Sequence, residues 1–388
     1  MKFKTYQYSK HWTDTQASAG DPTAMEEAKR AKQQLESILS SILLSENLII
    51  LTGLGTSLCI KDTANNSIAP TMSDLWKLVE KATKDFDTIL NNVHHPKDAS
   101  GGWIQDIETL LSRCQMSVEL QDDAVVRAFI AAAEDIIVKS CSFLGHLPPG
   151  AGLPIHESFL RKIARRPTRL QRAKLFTTNY DLCFETAAGT AGFVVIDGFS
   201  HTNPQEFDGI HFGYDIVRRD PDSEVPSYIS NVVQLLKLHG SVDWDRTANG
   251  QVLRSSSPKK PVIIYPRSGK FESSYSQPYF EMMSRFQAAL RLPNTGLLIV
   301  GFGFNDTHLV GPLNSALRSN ASLRLVAVGP SYESKPPQFV QNLESLIAAG
   351  DRRLSVLAAG FEDVVGIIPD LQAPSEEEQH QARIKKVP

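Results

Sequence analysis

The sequence predicts an α/β protein, a doubly wound, mostly parallel, Rossmann-like sheet with a helical insertion. Short apolar runs such as Leu48-Ile49-Ile50-Leu51, Leu297 to Val300 and Leu325 to Val328 lack a polar face, as strands covered on both sides require. Long stretches separate these runs, and strands joined by long crossovers pair in parallel. Several runs also end in glycine or small polar residues, the edge at which an open parallel sheet holds its ligands.

The first residues, Met1-Lys2-Phe3-Lys4, read as a loose arm, and about Thr23 to Ser45 as an amphipathic helix with Ala31, Leu35, Ile38, Leu39 and Ile42 on one side. Arm and helix together make up residues 1–46. The main domain is expected over 47–370 and starts with the strand at Leu48 to Leu51. After Asn65 the pattern turns helical: Ser73 to Thr83, Trp103 to Gln115, Asp122 to Phe143 and Ile155 to Ala164, with Asn91 to Gly102 as a loop. These form a helical insertion at about 68–168. The sheet resumes at Lys174 to Thr177 and continues through Phe193 to Ile196, Val233 to Leu238, Val262 to Tyr265, Leu297 to Val300 and Leu323 to Val328. A strand and a helix between Leu354 and Ile368 close it. The tail, 371–388, is polar enough to be expected disordered.

A chain of 388 residues, 41% hydrophobic, can bury a large core. Its formal net charge of -3 lacks the basic excess of a dedicated binder of nucleic acid or anionic membrane, so any nucleic-acid contact must be local. Cys59, Cys114, Cys141 and Cys183 are dispersed, with no C-x-x-C pair, which argues against a zinc module or a disulfide framework and fits a reducing cytoplasm. His94 and His95 lack a third ligand at metal spacing, and no metal is expected. No apolar run is long enough to span a bilayer.

Four islands carry candidate chemistry. In Gly53-Leu54-Gly55-Thr56-Ser57 the glycines let backbone approach an anion such as pyrophosphate, and Thr56 and Ser57 add hydroxyl donors near a helix start; a plain tight turn has the same form. Thr177-Thr178-Asn179-Tyr180-Asp181 follows a strand, so Asn179 can hold ribose hydroxyls or an attacking water, and Asp181 either the loop or a ligand hydroxyl. An Asx turn that reverses the chain explains the same residues. His239-Gly240-Ser241 places an imidazole, the side chain suited to proton transfer near neutral pH, at another strand end. The remaining histidines lack a comparable setting. Gly301-Phe302-Gly303-Phe304-Asn305-Asp306 repeats the layout, with Gly301 and Gly303 for close approach, Asn305 and Asp306 for a ribose, and the two phenylalanines as core.

From about Asn47 to Pro330 these islands resemble the sirtuin-like NAD-binding family, more closely its bacterial anti-phage defence branch than the protein deacylases. The resemblance implies that NAD is the substrate, that Gly53, Gly55, Thr56 and Ser57 contact it, and that Asn179 and Asp181 lie beside the nicotinamide ribose. It further implies that His239 is catalytic and that Gly301 to Asp306 form a later nucleotide-binding turn. Leu54 stands where the family's first glycine motif usually has alanine, and the deacylases' four-cysteine module is absent. The implied activity is NAD hydrolysis to nicotinamide and ADP-ribose, by a homo-oligomer working with a HerA-type ring ATPase. Protein deacylation and a non-catalytic NAD or ADP-ribose sensor that acts by assembly are the alternatives. The basic run Arg161, Lys162, Arg165, Arg166, Arg169, Arg172 and Lys174 reads as a solvated helix end, or as a surface for an acidic partner or DNA backbone.

Overall fold

The computed structural model describes residues 1–8, 11–16, 21–147, 152–219, 225–266, 277–372, 380 and 383–384; most of the expected polar tail lies outside them. The chain opens with β1 (Lys2–Lys4) and β2 (Thr13–Asp14). Helix α1 (Pro22–Leu43) follows, started by the Asp21 carboxylate accepting the Thr23 and Ala24 amides and by Pro22 at its first position. β3 (Asn47–Thr52) then enters the sheet. Before the next strand come α2 (Met72–Ala82), α3 (Phe86–Asn92), α4 (Ile107–Gln121), α5 (Ala124–Cys141) and α6 (Pro154–Ala164). α3 was not foreseen. It has seven residues and opens on Asp85 in the left-handed region (φ 56°) with no side-chain cap, so the usual start signal is missing.

β4 (Lys174–Thr177), α7 (Cys183–Ala191), β5 (Val194–Ile196), the short pair β6 (Val217–Arg218) and β7 (Ser227–Tyr228), and β8 (Val232–Lys237) come next. They are followed by β9 (Gly240–Arg246), β10 (Val252–Arg254), β11 (Pro261–Ile263) and α8 (Tyr279–Arg291). The chain then alternates β12 (Thr295–Val300), α9 (Thr307–Ser319), β13 (Arg324–Val328), α10 (Gln338–Ala348), β14 (Leu354–Ala358) and α11 (Phe361–Ile367).

Among the described residues the main sheet has nine strands, ordered β2-β1-β14-β13-β12-β3-β4-β8-β5. From β14 to β5 every pairing is parallel. Side-chain alternation along β3 shows why both faces need helices. Leu48 and Ile50 join the core with Leu35 and Leu39 of α1 and Phe159 of α6, while Ile49 and Leu51 join Phe286 of α8 and Leu313 of α9.

Three expectations are corrected. The first residues are no loose arm: β1 pairs antiparallel with β14, Phe3 is fully buried, and Lys4 bonds Glu344 at 2.9 Å. A three-residue strand with one apolar side chain leaves no period to read. Val262 to Tyr265 does not extend the main sheet; β11 pairs antiparallel with β9 in a separate sheet ordered β10-β9-β11. The basic run is only in part a solvated surface: Arg169 is exposed, but four of its residues hold the fold together. Lys162 donates to the Val365 and Ile368 carbonyls at the end of α11, Arg165 pairs with Asp370, Arg172 grips Asp215, and Arg166 donates to the carbonyls of Ser45 and Glu46. Burial pulls the Arg166 guanidinium down to about 10.

Candidate functional site

Strand register brings the islands together. Val300 of β12 lies beside Thr52 of β3, Thr52 beside Thr177 of β4, and Thr177 beside Lys237 of β8, so four strands end in one row. The chain leaves this row at 53–57, 178–181, 238–241 and 301–306, at the carboxyl edge where such sheets bind ligands.

The two glycine turns pack backbone against backbone. The Gly55 amide donates to the Gly301 carbonyl at 2.9 Å, and the Gly301 amide to that of Val328 at 3.1 Å. A Cβ on Gly55 would lie 2.5 Å from Gly301 Cα, and one on Gly301, whose φ is +65°, would lie 2.7 Å from Gly55 Cα. Gly53 is similarly confined, 2.9 Å from the Gly301 carbonyl oxygen, whereas Gly303 is exposed and meets only the Asn305 amide nitrogen, at 3.5 Å. Close approach at Gly53, Gly55 and Gly301 is therefore demanded by the neighbouring turn itself. Leu54 to Thr56 form a single 3-10 turn rather than the start of an α-helix. Both hydroxyls beside it point inward: Thr56 Oγ1 donates to the Gly53 carbonyl at 2.9 Å and Ser57 Oγ to Asp181 Oδ2 at 2.7 Å.

Asn179, 8% exposed, completes this knot. Its Nδ2 donates to the Gly53 carbonyl, Thr56 Oγ1 and Ser57 Oγ at 3.1, 3.2 and 2.9 Å. Asp181 also accepts the Cys183 amide at 3.0 Å, so its carboxylate holds the loop. The buried ammonium of Lys237 fastens the loop from the other side, contacting the Tyr180 and Asp181 carbonyls, Ser241 Oγ at 2.8 Å and Glu185 at 2.9 Å. Burial pushes the Glu185 carboxyl up against the pull of Lys237. Behind the turn, His156 is sealed between Phe184 and Phe361, both ring centroids at 5.1 Å, and burial lowers its imidazole to about 4. A cleft of about 500 Å³ opens beside it, bordered by Cys59, Lys61, His146 and His156.

His239 lies two residues past the end of β8, where the chain reverses into β9. Its carbonyl accepts the Ile264 amide at 2.8 Å, and Gly240 follows at φ +85°, where a Cβ would collide with the Val262 carbonyl oxygen. Across the ends of β3 and β4, His239 Nε2 faces His308 Nε2 at 3.0 Å, both residues nearly buried. Asp306 lies beside them: one ligand atom from each of His239, Asp306 and His308 falls within 4.8 Å of the others. A histidine in a setting comparable to His239 thus exists in His308, two positions after Asp306, and the fold builds a histidine-carboxylate set that sequence spacing did not reveal. Asn305 is exposed at the rim, while Phe302 is buried and Phe304 stacks on Phe339 at 4.7 Å, as core residues do.

Residues 173–346 match the SIR2-like domain. The match begins just before β4 and runs into α10, so it contains Asn179, Asp181, His239 and the whole 301–308 turn, while Gly53 to Ser57 precede it and are joined to it through β3. This SIR2-like segment supports a sirtuin-like, NAD-related role. No curated protein matches the sequence. Among solved structures, one of a Sir2 enzyme aligns over 90% of this chain and 98% of its own, at 12% identity and a TM-score of 0.41. One of cytosolic 5'-nucleotidase IIIB bound to cytidine covers 90% and 92%, at 11% identity and 0.30. At such scores neither likeness bears on the chemistry of the site. Among the described residues no helix is long and apolar enough to cross a membrane.

Proposed function

We propose that this SIR2-like chain hydrolyses NAD to nicotinamide and ADP-ribose. The supporting observation is the row of strand ends that gathers Asn179, His239 and both glycine turns at one sheet edge. Nicotinamide is a cationic leaving group, and the ribose C1' it departs from gains oxocarbenium character. The site must therefore orient the ribose, stabilise charge and deprotonate a water. His239 takes that proton. Asn179 commits its nitrogen to the glycine turn, which leaves its carbonyl oxygen as the atom it offers to a water or a ribose hydroxyl. The exposed Gly303 and Asn305 form the rim over which the dinucleotide enters. Hydrolysis needs no metal in this scheme.

Unchecked loss of NAD kills the cell that makes the enzyme, so we place the activity under a partner's control, as a homo-oligomer with a HerA-type ring ATPase in anti-phage defence. Light scattering on the protein alone and mixed with such an ATPase tests the assembly; a strict monomer that never binds the ATPase removes this part and leaves the chemistry standing. For the chemistry, purified protein is incubated with NAD and the products are separated by chromatography, with and without an acylated lysine peptide. Nicotinamide and ADP-ribose released without peptide are expected from wild type, and next to none from a folded Asn179→Ala/His239→Ala double variant. Turnover that requires the peptide, or a double variant as fast as wild type, overturns the reading.

A further inference from the structure

We infer that His239, Asp306 and His308 form a binding site for one divalent transition-metal ion, and that the ion competes with the proton for His239. The inference starts from Asp306. It stands at the N-cap position of α9 with extended backbone, yet its carboxylate caps nothing in the helix. The aspartates at the starts of α1, α4 and α5, Asp21, Asp106 and Asp123, each accept two amides there. Forgoing such a cap costs about 1 kcal/mol, and the Asp306 carboxylate lies instead toward the two imidazoles.

The imidazoles supply the second observation. Their Nε2 atoms face each other at 3.0 Å, 4% and 7% exposed, His239 on the turn after β8 and His308 in the first turn of α9 after β12, with two strands between them. An ion about 2.0–2.1 Å from both nitrogens would see them at an angle of about 95°. That is close to the separation of two adjacent ligands around one ion, and the carboxylate then closes a facial set of two histidines and one acid. Open positions remain for water. The donor set selects the ion class: imidazole with one carboxylate suits zinc, cobalt, nickel or iron, whereas magnesium and calcium favour all-oxygen cages.

Ligation needs the Nε2 lone pair of His239, the same pair that accepts a proton from water. A bound ion therefore switches off the base, and removing it restores the base, so the site is an inhibitory one. The metal site stands on the geometry alone; only its effect on turnover rests on the NAD hydrolase reading.

The test uses Co²⁺ as the probe, titrated into the chelator-stripped full-length protein and followed by its visible absorption bands and by metal content after gel filtration. One Co²⁺ per chain is expected, displaced by Zn²⁺. Affinity should fall more than about tenfold in His308→Ala and in the near-isosteric Asp306→Asn, since even changes to residues behind a metal's ligands cost that much. His94→Ala, a change remote from the cluster, should bind as wild type does. Should His308→Ala fail to fold, Asp306→Asn carries the test, because Asp306 is half-buried and its helix does not depend on it for a cap. Absence of stoichiometric binding to folded wild type, or binding unchanged in Asp306→Asn, overturns the site and identifies the pair as a simple imidazole-imidazole hydrogen bond. Neither result depends on whether NAD is consumed.

Discussion

At the Asn179 corner the polar side chains are committed to the protein: one amide nitrogen holds three acceptors, and two hydroxyls and a carboxylate close the loop around it. At the His239 corner, across the same sheet edge, two imidazoles and a carboxylate converge on one point, and the carboxylate has given up its helix-capping role to be there. The first corner is organised mainly for rigidity and, on the proposed reading, the second for chemistry. Burial alone does not separate them, since Asn179, His239 and His308 are all below a tenth exposed. Direction of the hydrogen-bonding groups does.

The largest effect should fall on the chemical corner. His239→Ala is expected to lower nicotinamide release by about 10²–10⁴-fold, the usual share of a general base, with little change in melting temperature. A loss of fold in place of a loss of rate would put His239 in the rigid class. Next, Gly301→Ala or Gly55→Ala forces a Cβ into facing backbone and should cost about 2–4 kcal/mol in a denaturant titration. Gly303→Ala, only two positions from Gly301, should stay within about 0.5 kcal/mol. Equal effects from the two would erase the distinction between a turn braced by its neighbour and an open rim.

A third test uses pH. His156 sits behind the rigid corner with its imidazole lowered to about 4, so between that value and the ordinary 6.5 the unfolded chain binds a proton that the folded chain does not. Its contribution is intact above about pH 6.5 and lost as pH falls through this window, by up to about 3 kcal/mol. Urea titrations at pH 7.5 and 4.5 should show that fall, and His156→Phe should flatten it. Smaller than the glycine and histidine losses is that of Asn179→Ala, about 0.5–1.5 kcal/mol from its lost buried hydrogen bonds, together with slower turnover. Lost turnover at unchanged stability would move Asn179 to the chemical side.

Much of this was legible in the sequence, for physical reasons. Strands covered on both faces announce themselves as unbroken apolar runs, and each of the four islands was visible because such a run ended in it. What a strand ends beside was not legible. The roles of Gly53 and Gly55 depend on Gly301, about 250 residues away, and only the sheet register puts them in contact. His308 escaped because it follows Asp306 at a spacing that reads as the first turn of a helix, and because its partner His239 lies on another strand. The antiparallel pairing of β11 with β9 escaped because a three-residue apolar strand looks alike in either kind of sheet.

The helices between β3 and β4 share a core with the site. Trp76, Leu110, Phe129 and Ile137 pack in one cluster with Val242, Ile263 and Tyr265, and Tyr180 and Leu182 lean on it. Tyr180 is also tethered by its hydroxyl to the Ile264 carbonyl at 2.6 Å, and Ile264 in turn holds the carbonyl of His239. An interior packed this tightly transmits displacement rather than absorbing it. A protein that grips α4 or α5 and shifts them must carry Tyr180 along or leave a void beneath it, and Tyr180 is the peptide neighbour of Asn179. On the NAD hydrolase reading proposed above, turnover would be throttled by leverage, from a handle more remote than any substrate.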